Sequence, residues 1–225
     1  MSMLKFLLFV HFVFISTKNV VFIGDSRACG FAYYILAMPY TWHNEVYGTG
    51  SYIISDTPKT FNGHSIRVIA EVGASYSTFS NSNKAVYSGV YNTLDAAVDG
   101  TVVLMWLGVN DLDSASTFNY YQSLAKKYKN LSFIAVSITG VSSKSSISND
   151  TIKLFNTNLS SKVSASNISN LVYKSILKDE NPVQIYNSAT KSVTFHISES
   201  TTDAYGVHYT VDGYKEILNA LLSVM

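Results

Sequence analysis

Three apolar runs in this chain stop at short clusters of residues able to do chemistry. Val20-Val21-Phe22-Ile23 ends at Gly24-Asp25-Ser26-Arg27, and Ile66-Arg67-Val68-Ile69-Ala70 runs into Glu71-Val72-Gly73-Ala74-Ser75. Residues 101–107 end at Gly108-Val109-Asn110-Asp111, and Asp203-Ala204-Tyr205-Gly206-Val207-His208 comes just before the last helix-like stretch. Together they supply a hydroxyl, an imidazole, a glycine amide and a carboxamide. Acyl transfer needs that set: the imidazole takes the hydroxyl proton, and preorganised N–H donors hold the charge that develops on the tetrahedral intermediate. Taken alone, Asp25-Ser26 reads more simply as the cap of a helix. The chemistry therefore depends on whether the four segments meet.

Apolar, β-branched runs closed by glycine read as buried strands of a parallel sheet. Their carboxyl ends share one edge, where open α/β sheets place ligands, and a loop ahead of the last helix can fold back over it. Between strands, the pattern predicts helices over residues 27–38 (with Pro39 just beyond), 84–98 (weakened by Gly89), 118–128, 152–163 and 211–224. Residues 131–138 are a further buried strand, and 183–185 with 193–197 are short strands of a local hairpin. Residues 40–56 read as a long irregular loop and 142–149 as a solvated Ser-rich one. Strands separated by helices argue one parallel sheet with helices on both faces. No repeat or linker divides residues 18–225, which suit a single domain.

Composition narrows the function classes. Charged residues make up 14% of the 225 and hydrophobic ones 47%, with a formal net charge of +1 and no basic run. That balance argues against nucleic acid as a partner. The 16 tyrosines, with many Ser, Thr and Asn, predict a hydroxyl-rich surface. The one cysteine, Cys29, excludes an internal disulfide and reads as a small buried helix residue. At the amino terminus Lys5 precedes the apolar stretch from Phe6 to Ile15, followed by Ser16 and Thr17. Residues 1–17 thus have the dimensions of an export signal, which points to a secreted or cell-surface protein. The stretch is shorter than the roughly 20 apolar residues a membrane span needs. Against cleavage, Phe14 and Ile15 are poor neighbours for a small-residue cleavage site, and a cytoplasmic protein with an apolar amino-terminal segment stays open.

Gly24-Asp25-Ser26, Gly73, Gly108-Val109-Asn110-Asp111 and His208, in that order, resemble the four blocks of the SGNH hydrolases, the GDSL-type esterases and lipases. The resemblance covers the chain from Val20 onward. It implies a flavodoxin-like three-layer α/β/α sandwich with a mostly parallel sheet. It also implies Ser26 as nucleophile, His208 as general base, and an oxyanion hole made by the amides of Ser26 and Gly73 with the Asn110 side chain. The family needs no metal or organic cofactor. The Gly-x-Ser-x-Gly elbow of ordinary α/β-hydrolases is absent. The function expected is a serine esterase acting through an acyl-enzyme, with a short acyl (acetyl) ester of a carbohydrate as favoured substrate. A lysophospholipase or thioesterase of the same fold is one alternative, and a non-catalytic surface binding module is another.

One position departs from the family pattern. An Asp usually stands three residues before the histidine; here that residue is Tyr205, and Asp203 lies five before His208. Either a longer loop lets Asp203 orient the ring, or a backbone carbonyl does so, or Asp212 four residues on takes the part. Asp212 also fits the first turn of the last helix, where an anion suits the dipole. Arg27 could meet an anionic substrate group or cap the helix, with the structural role favoured. Asp25 fits a turn held by backbone amides, and Asp111 and Asp113 flank a helix start without the company of metal ligands. His196 reads as a strand residue, and His43 and His64 as loop residues that lie at the surface or else line a pocket. Trp42, Tyr47 and Tyr52 are the candidates for a wall that stacks a sugar or holds an acyl group.

Overall fold

A computed structural model describes residues 17–45 and 48–225, with the backbone alone for 42–45 and 48–50. The export signal expected over residues 1–17 therefore lies, Thr17 apart, outside the described residues. The chain runs β1 (Asn19–Gly24), α1 (Ser26–Tyr34), β2 (Thr41–Glu45), β3 (Gly48–Ile54), β4 (Lys59–Phe61), β5 (His64–Glu71), α2 (Tyr76–Ser80) and α3 (Ala85–Asp95). It continues through β6 (Val102–Trp106), α4 (Ser114–Lys127), β7 (Ser132–Val136), α5 (Asn149–Ala165), β8 (Leu171–Lys174), β9 (Leu177–Lys178), β10 (Asn181–Asn187), β11 (Ser192–His196) and α6 (Val211–Ser223).

The main sheet has the order β2-β3-β5-β1-β6-β7-β8, with β4 paired to β5. Strands β5, β1, β6, β7 and β8 are parallel, and β2, β3 and β4 extend the sheet antiparallel. The parallel part has the 2-1-3-4-5 order of a flavodoxin-like sheet. From β1 the chain goes one way to β5 and then reverses past β1 to β6, β7 and β8. Because such crossovers are right-handed, the reversal sends the helices to opposite faces. α1 packs with α6, while α2 packs on α3 and α4, and α4 on α5. The result is the expected three-layer α/β/α fold. Its core is the near-continuous apolar lining of β1 and β6, buried on both faces as a central parallel strand requires.

Local chemistry explains the boundaries. α1 stops at Tyr34, short of the predicted residue 38, because Ala37 turns to φ +51 ahead of Pro39. α4 begins at Ser114, before residue 118, because Asp113 caps it by accepting from the Ala115 and Ser116 amides at 3.1 and 3.0 Å. Gly89 sits inside α3 because a Cβ there would come 2.9 Å from Ile54 Cδ1, so the glycine lets the helix lie close on β3. The loop expected over residues 40–56 is instead largely the β2–β3 pair. Its Thr, Tyr, Trp and Ile residues favour strand, but Gly48 and Gly50 break the alternation that would announce it. The predicted hairpin of residues 183–185 and 193–197 forms as β10–β11 and, with β9, makes a separate three-stranded sheet. Among the described residues no helix is long and apolar enough to cross a membrane.

Candidate active site

Ser26 follows β1 directly, and its place is set by a tight strand-to-helix turn. A Cβ on Gly24 would sit 2.4 Å from Ala28 Cβ, so only glycine lets the strand enter α1 here. Asp25 is the N-cap: its Oδ1 accepts from the Arg27 amide at 2.9 Å, and its carbonyl accepts from the Cys29 amide at 3.1 Å. Ser26 is thereby the first residue of α1. Its amide has no acceptor within the helix and lies at the positive end of the dipole.

His208 comes from the other end of the chain. Thr202 and Tyr209 form an isolated antiparallel bridge, and within it the Asp203 amide donates to the His208 carbonyl at 2.9 Å. The enclosed turn is organised around the Asp203 carboxylate. Its Oδ1 accepts from the amides of Tyr205, Val207 and His208 at 3.2, 3.1 and 3.3 Å. Its Oδ2 meets His208 Nδ1 at 2.8 Å, and His208 Nε2 meets Ser26 Oγ at 2.8 Å. An ionised carboxylate only accepts, so the ring carries its proton on Nδ1 and Nε2 accepts from the serine hydroxyl. Burial by itself raises the Asp203 carboxyl, but hydrogen bonds from the His208 ring and the Val207 and His208 amides outweigh it. The group is held below the ordinary carboxylate range.

Of the three supports considered for His208, the carboxylate of Asp203 is the one in contact. Its two extra residues of separation are taken up by the turn, where Gly206 adopts φ +71. Asp212 instead occupies the first turn of α6, whose N-cap is Thr210. Tyr205, three residues before His208, is 76% exposed.

The other two blocks adjoin each other. Gly73, at φ +76, lies in the turn after β5 in which the Ala74 amide donates to the Glu71 carbonyl at 3.2 Å. Asn110 Nδ2 donates to the Ala74 carbonyl at 2.7 Å, which binds its loop to the Gly73 turn and leaves a second N–H on the same nitrogen. Since Ser26, Gly73 and Asn110 follow β1, β5 and β6, they stand at the carboxyl edge around the point where strand order reverses. Gly108, at φ +134, allows Phe155 to pack where a Cβ would lie 2.2 Å from its Cζ.

The remaining candidates fall elsewhere. Arg27 neither caps α1 nor faces solvent; it is wholly buried against Asp25. Cys29 is buried in α1, and burial pushes its thiol up. His64 is not in a loop but opens β5, half-buried, with its ring lowered by burial and by Lys18. His196 ends β11, exposed. Tyr52 lies in β3 opposite Glu71, half-buried on the core. The side chains of Trp42 and His43, and all of Tyr47, lie outside the described residues. Among the described residues no group of three or more His, Cys, Asp or Glu is placed to hold a metal ion. A cleft of about 410 Å³, lined by residues such as Asn19, Ser65, Arg67 and Thr101, lies at the amino ends of the strands, across the sheet from Ser26.

No protein-family model matches the chain, and no curated protein matches it. Solved structures do. One, from Streptococcus pneumonia and provisionally described as a platelet activating factor, aligns at TM-score 0.57 with 17% identity over 95% of this chain and 86% of its own. An acetyl xylan esterase, AlAXEase, aligns at TM-score 0.55 with 15% identity over 92% of this chain and 99% of its own. At these identities the likeness is one of fold.

Proposed function

We propose that this protein is a serine esterase of the SGNH type, with Ser26 as nucleophile, His208 as general base and Asp203 as the group that orients the ring. The observation that carries the reading is the unbroken relay from Ser26 Oγ to His208 Nε2 and from His208 Nδ1 to Asp203 Oδ2, 2.8 Å at each step. Ser26 Oγ attacks the ester carbonyl carbon as its proton passes to Nε2. The amides of Ser26 and Gly73 and the free N–H of Asn110 receive the oxyanion; one such donor is typically worth about 3 kcal/mol of barrier. The intermediate collapses, His208 hands its proton to the departing alkoxide, and the acyl group stays on Ser26. Water then repeats the sequence with His208 again as base, releasing the acid. Throughout, the Asp203 carboxylate faces the transient imidazolium and stays ionised.

The favoured substrate is a short acyl ester, above all acetyl, of a carbohydrate. Support comes from the chain's hydroxyl-rich composition and from its fold likeness to an acetyl xylan esterase. Labelling with a fluorophosphonate, followed by mapping of the adduct, tests the nucleophile: Ser26 takes the label and Ser26→Ala does not. Folded protein that takes no label would leave the binding-module alternative in its place. Comparing p-nitrophenyl acetate with the octanoate tests the acyl class. Preference for acetate is expected, and preference for octanoate would move the reading to a lysophospholipase or thioesterase.

A further inference from the structure

Beneath the proposed reacting pair lies a buried polar cluster that the chemistry does not use directly. Asp25 and Arg27 are each 0% exposed and form an ion pair at 3.3 Å. Two charges this deep lose their hydration, and replacing such a pair by apolar groups is often neutral or stabilising, so stability alone is a weak reason for its presence. The guanidinium has a place for every edge. Nε and Nη2 reach the two Asp25 oxygens at 3.4 and 3.3 Å, and Nη1 donates to the Thr139 carbonyl at 3.0 Å and to its hydroxyl at 3.2 Å. Its flat face lies over the Trp106 ring, 4.9 Å from the centroid.

Donor accounting extends the cluster in one direction. The Tyr209 hydroxyl donates its single hydrogen to the Gly140 carbonyl at 2.9 Å. In its contact with Thr139 Oγ1, 2.5 Å away, it must therefore accept. Thr139 gives its hydrogen to Tyr209 and so accepts from Arg27. The chain of donation runs from Arg27 through Thr139 and Tyr209 to Gly140. It joins the two halves of the site: Asp25 and Arg27 flank Ser26, and Tyr209 directly follows His208. The same 139–142 segment also grips the far side of the histidine turn, where the Ser142 amide donates to the Gly206 carbonyl at 2.9 Å and the Ser142 and Thr202 hydroxyls pair at 2.9 Å.

We propose that Arg27, acting through Thr139 and Tyr209, is a positioning residue that holds the nucleophile's turn and the histidine's loop in register. This rests on the reading of Ser26 and His208 as the reacting pair. Asp25 fixes the guanidinium from one side and Trp106 from below, so the strut can adopt one arrangement. Lysine, a single point charge on a flexible stem, could answer Asp25 or Thr139 but not span both.

The test compares Thr139→Val, which is nearly isosteric and keeps the main-chain carbonyl, with Tyr209→Phe and Arg27→Lys. Thr139→Val and Tyr209→Phe should each lower kcat on p-nitrophenyl acetate roughly 10- to 100-fold, because small misplacements of reacting groups are costly. KM should stay within about a factor of two, Tm close to that of the parent protein, and labelling by fluorophosphonate should slow in step with kcat. Crystals of the Tyr209→Phe protein should show the Ser26–His208 contact lengthened. Parental kcat in both variants, or a loss of activity that follows only the loss of folded protein, overturns the proposal. Parent protein that neither hydrolyses ester nor takes label overturns the esterase reading instead. The positioning claim is then decided by the Oγ–Nε2 distance in the variant crystals: unchanged, it fails.

Discussion

Replacing Asp203 by asparagine and by alanine gives two losses whose order follows from the geometry. In Asp203→Ala the ring loses its carboxylate partner, 2.8 Å away. With charge centres about 4 Å apart, the attraction for an imidazolium is roughly 1–4 kcal/mol between the dielectric of water and that of a protein surface. The two side chains are 37% and 31% exposed, which puts the figure near the lower end, about 1–2 kcal/mol. That corresponds to a fall in kcat/KM of roughly 5- to 30-fold. Asparagine keeps the shape and ought to be milder, yet it should be worse. The amides of Tyr205, Val207 and His208, at 3.1 to 3.3 Å, all point hydrogens at Oδ1. They force the carboxamide to place its oxygen there and its NH₂ toward Nδ1. Two donors then face each other unless the ring moves its proton to Nε2, where it can no longer accept from Ser26. The fall expected for this inverted tautomer is about 10⁴-fold. Stability should run the other way, since asparagine still serves the three amides and alanine leaves them to water. Steady-state hydrolysis of p-nitrophenyl acetate with parallel thermal melts measures both orders. Asparagine as active as alanine, or more so, would refute the assigned tautomer and with it the role of Asp203.

Other outcomes follow from the same contacts. Asn110→Ala removes the proposed oxyanion donor and the bond to the Ala74 carbonyl, and kcat should fall about 10²-fold with little change in KM, as read by steady-state kinetics. Gly108→Ala, at φ +134 with Phe155 in the space, should destabilise the fold by about 2–4 kcal/mol in denaturant titrations. Because the folded Asp203 carboxyl is held below its ordinary value, its contribution to stability is full above the usual carboxylate range and is lost as pH falls through the folded value. Acid melts of Asp203→Asn should lack that step. Asp111 behaves oppositely: burial raises its carboxyl and its Oδ2 is buried without a partner. Asp111→Asn should therefore raise Tm at neutral pH, and the gain should shrink as pH falls and the parent carboxyl takes up its proton.

Much of this was legible in the sequence because the central strands are buried on both faces and so read as plain apolar runs. Gly24, Gly73 and Gly108 mark where those runs end, and the parallel sheet does the rest by bringing their ends to one edge. What stayed illegible has two physical causes. Asp203 is five residues from His208, and no spacing rule states that a carboxylate can gather three amides of its own turn and so set the reach of its second oxygen. Arg27 looks like any polar residue at a helix start; its partner Thr139 is 112 residues away, beyond the range of local pattern. β3 was hidden in part for the same reason, since one side of it pairs with β5 rather than with a sequence neighbour.

Ser26 and His208 are separated by 182 residues and meet only when the last turn and α6 settle against α1. That docking leaves no slack: a Cβ on Gly30 would overlap the Tyr214 ring, 2.1 Å from Cζ. On the proposed reading, hydrolytic competence waits on that docking. A chain still emerging from the ribosome, or paused before α6 is free, carries Ser26 without the imidazole that would activate it. Recovery of activity during refolding would then time the docking of α6 and the His208 turn against α1, a step that strand formation in the middle of the sheet does not report.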